Sequence, residues 1–203
     1  MTNAIVAPDR FWTVFIRELS TTLAQDKCWQ GKWASDADWT DLMMSVLQKT
    51  GFALGFFEPK TISREYLRLD MAFYSYPRRP EDCSDRLWNL EVAIEHENSS
   101  EGWLDEWVKL SHLSCGLKVL ITYHDHRPGR PSLDDKLKIA KDIYGDLSFK
   151  CPEDSWLLIF GPTYYSPIKS WFGYTFDGRA FALHAESAQV FPGDAEVAKG
   201  VSS

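Results

Sequence analysis

Two neighbouring segments of alternating character, residues 66–74 (YLRLDMAFY) and 88–97 (WNLEVAIEHE), constrain this chain more than any other feature. Side chains on a β-strand point to opposite faces with a period of two. In the first segment Leu67, Leu69, Met71 and Phe73 therefore define one face, and Arg68, Asp70, Ala72 and Tyr74 the other. In the second, Leu90, Val92 and Ile94 oppose Glu91, Ala93, Glu95 and Glu97. If both apolar faces cover a common core, Asp70 and Glu95 become neighbours on the opposite face, where small Ala72 and Ala93 leave room for an ion and a phosphate. An acid-bearing face is equally the solvated side of a half-buried antiparallel sheet, and on the strands alone both readings stay open.

The flanking sequence supplies the other layers. Phe11, Trp12, Phe15 and Leu19 form an apolar stripe that predicts a helix over 8–25, and a second helix is expected over 37–49, with Asp36 capping its start and Gly51 its end. A strand is expected near 52–57, ahead of the acid-bearing pair. A helix over 103–113 (WLDEWVKLSHL) runs into a strand over 117–123, and a helix over 133–144 into a strand over 155–160. This alternation predicts an α/β fold, a central mixed sheet flanked by helices. Segments 171–176 and 179–184, joined by Asp177-Gly178, spell a C-terminal β-hairpin that extends the sheet. Residues 1–191 are expected to form a single domain and 192–203, rich in small and charged residues, a loose tail.

In the order of these elements, over roughly residues 8 to 161, the chain resembles the PD-(D/E)xK nuclease superfamily, the restriction-endonuclease-like fold. Its core is a helix, three strands, a helix and a further strand, with the metal site on the second and third strands. By that resemblance Asp70 matches the lone aspartate and Glu95 the acid of the (D/E)xK element, while a helical acid such as Glu18 fills an extra position that some members use. Glu97 stands where lysine is commonest. Some restriction enzymes of this fold carry Glu there, and other members supply the lysine from the following helix, which makes Lys109 the candidate. The helix's apolar stripe, Trp103, Leu104, Trp107, Val108 and Leu110, leaves Lys109 beyond its edge, so a surface pairing with Asp105 or Glu106 competes with a catalytic role. The resemblance implies Mg²⁺ or Mn²⁺ held by Asp70, Glu95 and the main-chain carbonyl of His96, and hydrolysis of nucleic acid, DNA in the first instance. Hard oxygen donors suit those ions, and Glu97 or Lys109 would assist proton removal.

Composition limits the partners. With 203 residues, 44% of them hydrophobic, the chain has material for one ordinary core. A formal charge of −7 argues against indiscriminate binding to phosphates. Arg78 and Arg79 between the acid-bearing strands, and Arg127 and Arg130 after the next strand, are the candidate phosphate grips. Their competing role is solubilising, balanced by Glu81, Asp82 and Asp85. No apolar run is long enough to span a bilayer, and the opening residues lack signal-peptide character, so a cytoplasmic protein without a membrane partner is expected. A homodimer is compatible with the resemblance. Cys28, Cys83, Cys115 and Cys151 are scattered and read as reduced thiols.

Other constellations are weaker. His124-Asp125-His126 lacks a third metal ligand, and no glycine-rich phosphate loop, GxSxG elbow or HExxH is present. Trp29, Trp33 and Trp39 cluster around a loop, as base-stacking platforms or as loop packing. Three functions stand: a metal-dependent nuclease, a catalytically inactive relative that binds nucleic acid or a protein partner, and an acidic protein that mimics phosphates.

Overall fold

A computed structural model describes residues 6–56, 62–66, 68–75, 89–98, 102–124, 129–148, 155–164, 166, 169–187 and 190–191. Its centre is one seven-stranded sheet whose spatial order follows the chain: β1 (Ile62–Tyr66), β2 (Leu69–Ser75), β3 (Asn89–His96), β4 (Leu117–His124), β5 (Ser155–Pro162), β6 (Trp171–Phe176) and β7 (Phe181–Ser187). The middle strands β3, β4 and β5 are parallel, while β1 and β2 on one side and β6 and β7 on the other pair antiparallel. Parallel neighbours need crossovers, supplied by α4 (Trp103–Ser111) between β3 and β4 and α5 (Leu133–Asp146) between β4 and β5. Helices α1 (Pro8–Gln25), α2 (Trp29–Trp33) and α3 (Asp36–Leu54) precede the sheet. The fold class is α/β, as the alternation of elements predicted.

Two apolar cores result. Phe11, Phe15 and Leu19 of α1 and Met43, Val46 and Leu47 of α3 pack on Met71, Phe73, Val92, Ile94, Val119 and Ile121 of the sheet. On the opposite face Trp103, Trp107 and Leu110 of α4 and Ala140 and Tyr144 of α5 pack on Ala72, Ala93, Leu120, Trp156 and Leu158. Every residue of β4 is buried, as expected of a strand covered on both sides. The acid-bearing face is therefore not a solvated one: α4 lies over it.

Local signals account for most boundaries. Pro8 opens α1 at a position where its missing N–H costs nothing. Ser132 and Asp135 form a reciprocal capping box at the start of α5. At the hairpin turn, Asp177 Oδ1 accepts from the N–H groups of Arg179 and Ala180, both at 2.8 Å, and Gly178 takes a φ of 84°. The expected hairpin forms and joins the sheet through β5.

Two boundaries differ from expectation. Residues 52–54, predicted as the start of a strand, are the last turn of α3, which is capped by Ser35 and ends at Gly55 with φ 98°. Gly51, expected to cap the helix end, lies inside α3, where a Cβ would come 2.7 Å from Ile62 and 2.8 Å from Phe73, so the missing side chain lets the helix press closely on the sheet. The segment read as one strand over 66–74 is two: Tyr66 ends β1 and pairs with Leu69 across a turn in which Arg68 has φ 65°. Leu69, expected on the face of Met71 and Phe73, packs instead with the α4 core beside that turn.

Candidate active site

Pairing of β2 with β3 sets Met71 opposite Ile94 and Ala72 opposite Ala93, and one step further along the same register brings Asp70 across from Glu95. The two acids meet at the open end of the β2–β3 pair, as the alternation implied. Asp70 Oδ2 accepts a 2.8 Å hydrogen bond from the main-chain N–H of His96. Glu95 is 1% exposed. Burying a carboxylate without compensation is costly, and the compensation comes from α4: Lys109 Nζ lies 2.8 Å from Glu95 Oε1, also pairs with Glu106, and donates to the main-chain oxygen of Arg68 at 3.0 Å. Both sequence readings of Lys109 thus describe one side chain. Its long stem carries the ammonium from the edge of the helix to the buried acid without releasing the helical partner.

Burial above all holds the Glu95 carboxyl above the usual carboxylate range; the hydrogen bond from Lys109 opposes this rise, and the negative charges of Asp70 and Glu106 add to it. Burial of the Lys109 ammonium acts to lower its affinity for the proton, but its contacts with Glu106 and Glu95 win, leaving it above the ordinary lysine range. The cluster is a desolvated acid that holds its negative charge only while a positive charge stands beside it.

The small residues beside the acids serve packing. Ala72 and Ala93 are fully buried in the cluster that contains Trp103 and Trp107, so the space they leave is occupied by helix α4. Glu91, predicted on the same face as Glu95, accepts a hydrogen bond from Ser75 further down the pair. Glu97 lies just past β3, half-buried, and its N–H donates to Ile121 at 2.9 Å. Glu18 pairs with Arg17 on α1, the helix on the other face of the sheet, and is not brought to the acids.

His96 is the next residue after Glu95, and its side chain points to the opposite face. Its Nε2 is 2.7 Å from Tyr123 Oη, which accepts from Trp39 Nε1–H at 2.5 Å. Indole nitrogen only donates, so Tyr123 Oη accepts from Trp39, and the imidazole tautomer sets the direction of its hydrogen bond with His96 Nε2. Burial depresses the imidazole to about 3, which keeps it neutral, and raises the Tyr123 hydroxyl beyond the ordinary tyrosine range against the opposing effect of the Trp39 bond. Sequence reasoning used only the carbonyl of His96. Alternation already placed its side chain with Ile94, but nothing local indicated Tyr123 or Trp39, 27 and 57 residues away.

Of the predicted phosphate grips, Arg130 is exposed just before α5, while Arg78, Arg79 and Arg127 lie outside the described residues. His124 is buried with Nε2 3.2 Å from Ser170 O; Asp125 and His126 lie outside the described residues. Cys28 and Cys115 are thiols, and Cys83 and Cys151 lie outside. Among the described residues no three His, Cys, Asp or Glu side chains gather as metal ligands, and no helix is long and apolar enough to cross a membrane. Comparison with protein-family models, with curated proteins and with solved structures returns no match for this chain.

Proposed function

We propose that the protein is a metal-dependent nuclease with a restriction-endonuclease-like core, hydrolysing phosphodiester bonds in nucleic acid, DNA in the first instance. One observation carries the reading: Lys109 Nζ stands 2.8 Å from the buried Glu95 beside Asp70, so three groups far apart in the chain converge at the end of β2 and β3. Perturbed titratable groups converging in this way are characteristic of functional sites. The order of a helix, three strands, a helix and a further strand supports it too.

The donor set fits a hard cation. Two carboxylates plus a main-chain oxygen, that of His96, suit Mg²⁺ or Mn²⁺, ions that keep several waters for phosphate oxygens to replace. Such an ion would polarise the phosphoryl group and favour hydroxide at neutral pH. The protein's part is to hold Asp70 in place through the His96 N–H, to keep Glu95 desolvated, and to present Lys109 as a cation for developing negative charge. Glu97 stands next to this cluster as the alternative proton acceptor. A cytoplasmic address goes with the reading.

The second reading, an inactive relative that binds nucleic acid or a protein, draws on a different observation. Asp70 is already engaged by the His96 N–H, and Ala72 and Ala93 are covered by α4.

Calorimetric titration of Mn²⁺ separates the two. The nuclease reading expects binding that is lost in both Asp70→Ala and Glu95→Ala, nicking of plasmid DNA by the wild type, and none by either variant. Because burial raises the proton affinity of Glu95, Mn²⁺ binding should compete with its protonation and tighten as pH rises. Equal weak heats for all three proteins and no nicking would leave the inactive relative.

A further inference from the structure

A second constellation lies on the other side of the sheet's carboxyl end. Trp29, Gln30, Trp33, Tyr164, Lys169 and Phe191 line a cleft of about 400 Å³. Trp33 stacks on Phe191 with ring centroids 4.6 Å apart and planes 18° apart, and Trp29 lies 5.2 Å from the same ring. Tyr164 meets Trp33 edge-on at 5.5 Å and is 45% exposed, one of the few large apolar rings among the described residues that face solvent. Lys169 Nζ is 4.4 Å from the Trp33 centroid and donates to Tyr164 O at 2.9 Å.

We infer that this cleft takes a base of single-stranded nucleic acid, a segment of the strand whose backbone the Asp70–Glu95–Lys109 site would cut; the inference rests on the nuclease reading and names the form of its substrate. Chemistry selects the occupant. A planar guest finds the exposed Tyr164 ring to stack on, backed by the buried Trp33 and Phe191, and this serves any base because every base has a π-face. The Lys169 ammonium already covers Trp33, so a methylated amine meets like charge there, whereas a nucleotide brings an anionic phosphate to it. A volume of about 400 Å³ is at the small end for ligand sites and admits one such unit.

Position points the same way. Ligands of open α/β sheets bind outside the carboxyl ends of the strands. Tyr164 lies two residues past β5, and the neighbouring Thr163 N–H donates to His124 O at the end of β4. Asn98, two residues past β3, donates to Asp36 O at the start of α3, shortly after α2, whose last residue is Trp33. Ring contacts of 6.0, 6.5 and 5.7 Å connect Trp33 to Trp39, Trp39 to Tyr123 and Tyr123 to His96, the residue that holds Asp70. A single strand crossing the ends of β3, β4 and β5 would reach both the acids and the cleft.

With a net charge of −7 the whole-molecule field does not favour DNA, so stacking has to carry the affinity. Fluorescence anisotropy of a labelled 12-mer single strand, measured with the full chain in metal-free buffer, tests this. Tighter binding of the single strand than of the duplex is expected, with a shallow salt dependence. Tyr164→Ala and Lys169→Gln, both at the cleft mouth, should each weaken binding about tenfold while far-ultraviolet circular dichroism stays that of the wild type. Unchanged affinity in both variants, no oligonucleotide binding, or competition by a trimethyl-lysine peptide or a single mononucleotide as effective as the 12-mer would overturn the assignment. Cleavage of the 12-mer and nicking of plasmid are scored separately with Mn²⁺. Single-strand binding without either cleavage retains the cleft and removes the nuclease, while duplex nicking indifferent to Tyr164→Ala does the reverse.

Discussion

Glu95 and His96 are consecutive residues of β3, both buried, and the sheet sends them into opposite halves of the molecule. On the α4 side Glu95 meets a lysine; on the α3 side His96 meets a tyrosine hydroxyl. Desolvation acts on both towards the neutral form, raising the acid and lowering the imidazole. Only the acid is given a countercharge. The His96 face is therefore a neutral hydrogen-bonded wall that fixes the main chain, and the Glu95 face is a charge held out of water, where a cation would find it. The His96 amide links the two faces, because its N–H holds Asp70.

That contrast is broken most severely by removing the countercharge. Lys109→Met leaves Glu95 buried without a cation; Glu95 answers by taking up a proton, which puts the loss at the lower end of broken buried pairs, about 3 kcal/mol. Urea unfolding should show this loss, and adding Glu95→Gln should restore most of it. Equal losses in the single and double variants would mean the ion pair contributes nothing specific. On the opposite face Tyr123→Phe strands the Trp39 indole N–H and His96 Nε2 together and should cost about 2 kcal/mol by the same measurement, with Mn²⁺ binding retained.

Opposite pH slopes sharpen the comparison. The Glu95 carboxyl is raised in the folded state above its value in the unfolded chain, so its contribution to stability falls as pH rises above the ordinary carboxylate range. His96 resists a proton between about 3 and 6.5 that the unfolded chain accepts, so its contribution falls as pH drops through that window. Each limb should have a slope of about 1 kcal/mol per pH unit. Thermal unfolding across pH should show the alkaline limb flattened by Glu95→Gln and the acid limb by His96→Asn; one limb lost in both variants would show that the faces are not independent. The smallest effect belongs to Glu97→Gln, past the end of β3, at under about 0.5 kcal/mol. Loss of Mn²⁺ binding in that variant would transfer the ligand role from Glu95 to Glu97.

Much of this arrangement was legible in residue order. Period-two alternation placed Asp70 and Glu95 on one face, and that depends on nothing but strand geometry. The Asp177-Gly178 turn and the capping residues of α5 marked boundaries through interactions within a few residues. The end of α3 was misread because residues 52–57 are apolar enough for a strand or a helix end, and the role of Gly51 is set by Ile62 and Phe73, which pack against it from the sheet. Lys109 looked marginal on its helix wheel, since a wheel shows where a side chain leaves the helix and not how far its stem reaches.

The chain by itself determined the α/β class, the facing acids and the hairpin, because each follows from periodicity or short-range turn chemistry. Only the tertiary structure decided that α4 covers the acid face, that Lys109 completes it, that His96 is locked through Tyr123 to Trp39, and that Trp33 and Phe191 form a cleft. Those contacts join residues 14 to 158 positions apart, and a pattern read along the chain carries no information about which distant side chains the packing of helices on a sheet will bring together.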